Sequence, residues 1–214
     1  MQWIYWNILA TCWGLFCLIW VVGWIYNFFN APPVARRSRF QLGWILGLVM
    51  IVVVTILYFL LPPQAWAFIT VAPPWLRMLG AMCLIISTAF AIWAYVTLGT
   101  MWSFLDDIRV GHQLRTKGPY SITRHPMYTG TLGMLLGSAF ISGLSNWAVY
   151  FLVWLIIDLV KIPPEERLLK EAFGEQYIQY QQQVPQLIPG LKLLKRYHVR
   201  DRVGSLLSKI IAHE

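Results

Sequence analysis

No aspartate, glutamate, lysine or arginine precedes Arg36, none lies between Arg39 and Arg77, and none between Arg77 and Asp106. A water-soluble domain needs polar surface on every element, so this emptiness of charge excludes an ordinary soluble class. Cysteine is scarce as well. Cys12, Cys17 and Cys83 sit in apolar runs without CxxC or Cys/His ligand spacing, which argues against a structural disulfide or a zinc site. The chain has no internal repeat, no low-complexity tract, no phosphate-binding glycine loop, no nucleophile elbow and no alternation of strand and helix patterns, so a doubly wound soluble fold is excluded.

What the chain has in quantity is apolar surface. Of 214 residues, 58% are hydrophobic and 12% charged, and the mean hydropathy is +0.58. The composition is that of an all-α polytopic membrane protein, because in lipid a spanning backbone must satisfy its own hydrogen bonds. Twelve tryptophans and ten tyrosines suit the headgroup level and the packing between helices. About five spans are expected, near residues 3–29, 42–61, 75–98, 127–141 and 147–160, the last two joined by the tight turn at 142–146. The last two are short for a full crossing, so tilt, local thinning or extension past the interface is expected. Gly14 and Gly23 offer close helix approach in the first span, and Gly130, Gly133 and Gly137 do so in the fourth. The N-terminal apolar run lacks a basic leader and exceeds a signal core in length, so it reads as a retained span.

The net charge of +8 belongs to topology and not to nucleic acid, because no basic patch interleaved with stacking rings occurs. Sixteen of the 17 Lys and Arg residues fall in segments on one side, with Arg77 alone on the other. By the positive-inside bias the N-terminus is outside and the C-terminus cytoplasmic. Arg36, Arg37 and Arg39 are then topology anchors. Residues 191–214 carry a net +4 from six Lys and Arg against Asp201 and Glu214, with Val203, Leu206, Leu207, Ile210 and Ile211 on one face. They read as an amphipathic helix on an anionic leaflet. Three regions follow: three N-terminal helices over 1–98, a core over 99–190, and the basic tail over 191–214.

The polar interruption at 112–128 is the candidate site. Gly118-Pro119 and His125-Pro126 break any helix there. The donors and rings of His112, Gln113, Arg115, Tyr120, Arg124, His125 and Tyr128 suit a folded ligand cradle better than a connecting loop. Asp106 and Asp107 read as solvated or loop-capping, since sequence neighbours alone rarely share a metal. Asp158 is either a functional intramembrane carboxylate or a local ion pair with Lys161. Pro163-Pro164-Glu165-Glu166 is expected to open a new helix, prolines and acids being favoured in a first turn. Leu169, Phe173, Tyr177 and Tyr180 continue it at helical spacing.

Gly118-Pro119-Tyr120, Arg124-His125-Pro126-x-Tyr128-x-Gly130, Glu165-Glu166, Phe173-Gly174-Glu175-x-Tyr177-x-x-Tyr180 and Val184-Pro185 together resemble the isoprenylcysteine carboxyl methyltransferase family. The likeness runs over residues 98–189, and the broad group also resembles membrane phospholipid and thiol methyltransferases. It implies a membrane-integral enzyme that uses S-adenosylmethionine, without a metal, on a lipid-borne or small apolar acceptor. The family pocket carries over to His112, Gln113, Leu114, Arg115, Tyr120, His125, Pro126, Met127 and Tyr128, with Glu165 as its carboxylate; Lys161 and Glu166 are the catalytic candidates. Lys161 stands where the eukaryotic prenylcysteine enzymes carry arginine, and a point charge lacks the bidentate fork that suits a carboxylate. Prenylcysteine carboxylate, thiol and amine lipid therefore all stay open as acceptors. The expected location is an inner membrane in a bacterium or the endoplasmic reticulum in a eukaryote. A non-catalytic scaffold or sensor on the same fold is the alternative, and a transporter is disfavoured by the lack of paired broken helices.

Overall fold

A computed structural model describes residues 2–36, 42–62, 73–102 and 107–190. The basic tail and Asp106 lie outside the described residues. Helices occupy all five expected positions: α1 (Gln2–Asn30), α2 (Leu42–Leu60), α3 (Pro74–Leu98), α4 (Pro126–Ser142) and α5 (Ser145–Phe173), followed by the short α6 (Glu175–Gln183). Among the described residues three stretches are long and apolar enough to cross a bilayer, Trp3–Asn30, Pro74–Met101 and Asn146–Phe173. Trp3, Leu18, Phe28 and Phe29 on α1, with Ile86 and Val96 on α3, are exposed. That placement costs free energy in water and none against lipid.

The body is organised by α3 against α4. Gly80 on α3 and Gly130, Gly133 and Gly137 on α4 bring the two backbones together. A Cβ on Gly137 would stand 2.7 Å from the backbone nitrogen of Leu84 and 2.8 Å from the carbonyl of Gly80. The small-residue stripe read from the sequence is thus the helix interface itself. Of the two glycines in α1, Gly23 lies against the Tyr95 ring and Gly14 meets nothing within 4 Å. Gly137→Ala is expected to destabilise the protein by about 1–3 kcal/mol, because the added methyl meets backbone that cannot swing aside. Thermal unfolding in detergent, with Gly14→Ala as the comparison, measures it; equal melting of the two variants would refute the contact.

Around this pair, α1 is pinned by polar contacts along its length. Trp13 Nε1 donates to Ser138 Oγ at 3.0 Å, Tyr95 Oη donates to the Trp20 carbonyl at 3.3 Å, and Asn27 Nδ2 donates to the Gly99 carbonyl at 3.2 Å. The α4–α5 turn is closed by Gly143 in the left-handed region (φ 80°) and by Leu144 (φ 71°).

Three features differ from the sequence reading. The prolines at 163 and 164 do not start a helix; α5 runs through them without interruption. Two helix-interior prolines carry a local cost of about 3 kcal/mol or more each. On either side of the prolines, buried Lys161 and Glu166 are bonded to Tyr128 and Arg124, contacts that favour the continuous helix. The break falls instead at Gly174, whose φ of 53° and ψ of −129° separate α5 from α6. A short antiparallel ribbon also interrupts the all-α pattern: β1 (Val34–Arg36) pairs with β2 (Ile108–Arg109). Strands of three and two residues are too brief for any period to show in sequence. Finally, Asp107 is buried at 7% exposure and not solvated. Arg36, expected only as an anchor, forms an exposed ion pair with Glu171 at 3.0 Å, a contact worth little in itself.

Candidate functional site

The cradle is assembled by three elements that are remote in sequence. Residues 118–121 form a 3₁₀ turn entered through Gly118 at φ +63°, and Pro126 opens α4 where its missing N–H is no loss. The strap that follows α6 then lies along residues 123–129. The backbone N–H groups of Arg124 and His125 donate to the carbonyls of Pro185 (2.9 Å) and Gln186 (3.2 Å). Thr123 Oγ1 and Thr129 Oγ1 donate to the carbonyls of Gln186 and Leu187, both at 2.6 Å. Tyr180 Oη on α6 closes the far end by donating to the Tyr120 carbonyl at 2.5 Å.

Beneath this frame lies a charged network. Arg124 Nε and Nη2 both reach Glu166 Oε1 at 2.7 Å, while Nη1 donates to the carbonyls of Val184 (2.6 Å) and Gln181 (3.2 Å). The other oxygen of Glu166 accepts from Gln181 Nε2 at 2.7 Å. His125 does not use its ring to cap α4; its Nε2 is 3.3 Å from Glu166 Oε1 and its Nδ1 is 3.6 Å from Glu165 Oε2. The same ring stacks on Tyr128 with centroids 5.5 Å apart and planes 8° from parallel. Tyr128 Oη donates to Glu165 Oε2 at 3.0 Å and accepts from Lys161 Nζ at 3.1 Å. Both glutamates are thus held by the Arg124–Tyr128 segment.

Above the network is a cavity of about 770 Å³, in the range of small-molecule sites. One half is polar: His112, Leu114, Arg115, Tyr120, His125, Pro126, Met127, Tyr128 and Glu165 all line it. The other half is aromatic, with Trp13 and Phe16 from α1, Tyr58 and Phe59 from α2, and Trp147, Tyr150 and Trp154 from α5. Of the residues expected at the site, Gln113 is exposed, and it, Lys161 and Glu166 stand outside the lining. Lys161 is 2% exposed and contacts Tyr128, and Glu166 faces Arg124. Asp107 joins the lining, and Arg124, present in the motif but given no role, holds the network together. The aromatic residues of α5 were within reach of sequence reading. Trp147, Tyr150 and Trp154 recur at helical spacing on one face that continues to Lys161 and Glu165.

Burial keeps Tyr120, Tyr177 and Tyr180 protonated by raising each phenol above its ordinary range. His112 moves the other way. Burial first, then the charges of Arg109 and Arg115, lower it below the usual histidine value, so its imidazole is neutral at pH 7. His112 Nδ1, Trp154 Nε1 and Tyr177 Oη are buried atoms on lining residues with no hydrogen-bond partner among the described residues. Unpaired buried polar atoms are costly. A ligand rich in hydroxyl, amino and ring-nitrogen groups fits such a wall. Among the described residues no cluster of His, Cys, Asp or Glu is placed to hold a metal ion.

Comparison with known proteins bears on what such a cavity serves. Residues 75–176 match the phospholipid methyltransferase family model. The chain is 34% identical over 119 residues to protein-S-isoprenylcysteine O-methyltransferase B of Arabidopsis thaliana, covering 54% of this chain and 60% of that protein. It is 35% identical over 101 residues to the cobalt-zinc-cadmium resistance protein CzcN of Cupriavidus metallidurans, covering 46% of each. Among solved structures it is similar to a eukaryotic intramembrane Ras methyltransferase, an isoprenylcysteine carboxyl methyltransferase, with a TM-score of 0.50 and 26% identity over 72% of this chain and 55% of that one. The chain therefore spans at most about three-fifths of the length of these relatives.

Proposed function

We propose that this chain, similar over about half of its length to isoprenylcysteine and phospholipid methyltransferases, is a membrane-integral enzyme of that kind, moving a methyl group from S-adenosylmethionine to an apolar or lipid-borne acceptor. One observation carries the reading. A single cavity is walled on one side by the polar cradle and Glu165, and on the other by aromatic residues of the apolar helices α1, α2 and α5. A water-soluble donor and a lipid-phase acceptor meet only in such a place.

In this reading the donor lies against His112, Leu114 and Arg115, with Gln113 outside the contact, and beneath Tyr120 and the turn from His125 through Pro126 and Met127 to Tyr128. Glu165 serves as the anion for its hydroxyl or amino groups. When bound, S-adenosylmethionine supplies a methyl carbon activated by a cationic sulfur. The residues themselves hold two partners close in a space shielded from water, which is most of what such a transfer requires. Lys161 and Glu166, outside the lining, act by position: Lys161 through the Tyr128 hydroxyl, Glu166 through Arg124 and His125. The distribution of basic residues supports a cytoplasmic cradle with the N-terminus on the opposite side.

Calorimetry on protein purified in detergent tests this. S-adenosylmethionine and its demethylated product are each expected to give a binding heat. Glu165→Gln is expected to weaken both about tenfold to a hundredfold, the worth of a hydrogen bond to a charged group. An absence of heat from the unaltered protein with either compound would remove the proposal.

A further inference from the structure

We propose that the methyl acceptor presents a neutral nucleophile, a thiol sulfur or an unprotonated amine nitrogen on an apolar chain, and not a carboxylate. The inference rests on the methyltransferase reading and narrows it to a substrate class.

A carboxylate brought out of water must find a cation and further hydrogen bonds. Among the described residues, every basic group on or beside the cavity except Arg115 is already committed. All three nitrogens of Arg124 are engaged by Glu166 and by the carbonyls of Gln181 and Val184. Both ring nitrogens of His125 face glutamates. Lys161 is no part of the lining; its Nζ donates to Tyr128 Oη and lies 5.0 Å from the centre of that ring. His112 is kept uncharged by burial and by its arginine neighbours. Arg115 remains, exposed in the strip assigned to the donor, where it would serve the donor's own carboxylate.

The lining also carries two carboxylates, Asp107 and Glu165, whose field opposes a further anion. The aromatic half has no charge at all. Among the described residues its polar features are the Thr55 and Tyr150 hydroxyls, 2.8 Å apart, the Tyr58 hydroxyl, the Asn146 side chain and the indole N–H of Trp154, none of them a cation. Such a wall accepts an apolar chain ending in an uncharged heteroatom. The lone pair on that sulfur or nitrogen forms the bond to the methyl carbon. The bond from that carbon to the sulfonium breaks, its electron pair stays on the departing sulfur, and the acceptor's proton passes to water.

The test uses three acceptors that share one farnesyl chain: farnesyl thiol, farnesylamine and S-farnesyl mercaptoacetate, the last ending in a carboxylate. Binding is read from tryptophan fluorescence in detergent with S-adenosylhomocysteine present, since Trp13, Trp147 and Trp154 are on the wall. Transfer is read separately with tritiated donor. The thiol or the amine is expected to bind, and to be methylated, about tenfold or more better than the carboxylate. Equal or better binding and methylation of the carboxylate overturns the proposal, and so does failure of all three while the donor still gives a binding heat. Loss of the donor heat itself condemns the methyltransferase reading instead, which keeps the two failures apart.

Discussion

Glu166→Ala is expected to cost about 3–5 kcal/mol of stability, the scale for removing one partner of a buried ion pair. The arginine it abandons has a side chain only 11% exposed, and the histidine beside it 3%. With Glu166 gone, Arg124 keeps the Val184 and Gln181 carbonyls but loses its countercharge, and Gln181 loses its acceptor. Because those contacts tie α5 and α6 to the turn that opens α4, the cradle should loosen with them. Melting in detergent and donor affinity should therefore fall together. Glu166→Gln, which keeps an acceptor oxygen in place, should fall less in both. If Glu166→Ala instead melts like the parent protein and loses only turnover, then Glu166 takes part in the chemistry and is not a support for Arg124.

How much of this was legible beforehand follows from the range of each interaction. The helical positions were, because an apolar run is a local property and the backbone has no alternative in lipid; the lengths were less so, since the last span runs on to Phe173. So was the contact stripe at Gly130, Gly133 and Gly137, since small residues at helical spacing have one efficient use there. The cradle residues stood out as polar interruptions, and nine of the ten assigned to the donor by resemblance line the cavity. What escaped was settled by partners far away in the chain. Continuation of α5 through Pro163 and Pro164 goes with the contacts of Lys161 to Tyr128 and of Glu166 to Arg124, partners more than 30 residues away that no window around the prolines contains. Pinning of Thr123, Arg124, His125 and Thr129 depends on carbonyls some 60 residues later, in a strap that has no period to read. Asp107 read as solvated or loop-capping because a lone carboxylate in a loop has no local sign of burial; the cavity it lines is walled by residues remote in sequence.

Tyr128→Phe should have the second large effect, because one hydroxyl serves two charged groups. It donates to Glu165 and accepts from Lys161, and each such bond is worth about 1.5–3 kcal/mol. The ring remains, and with it the stack on His125 and the cationic contact with Lys161, so the fold should survive. The loss should then appear mainly at the site, as donor affinity weakened about tenfold or more, because Glu165 is released from the position in which it meets the cavity. Lys161→Met should give a smaller effect of the same kind, since Lys161 reaches the cavity only through that hydroxyl. The double variant is the decisive measurement. If Lys161 acts through Tyr128, the two changes together should cost less than their sum, by a coupling of about 0.5–3 kcal/mol. Strict additivity in donor binding would mean that Lys161 influences the site by some other route, and it would reopen a direct role for its charge toward an anionic acceptor.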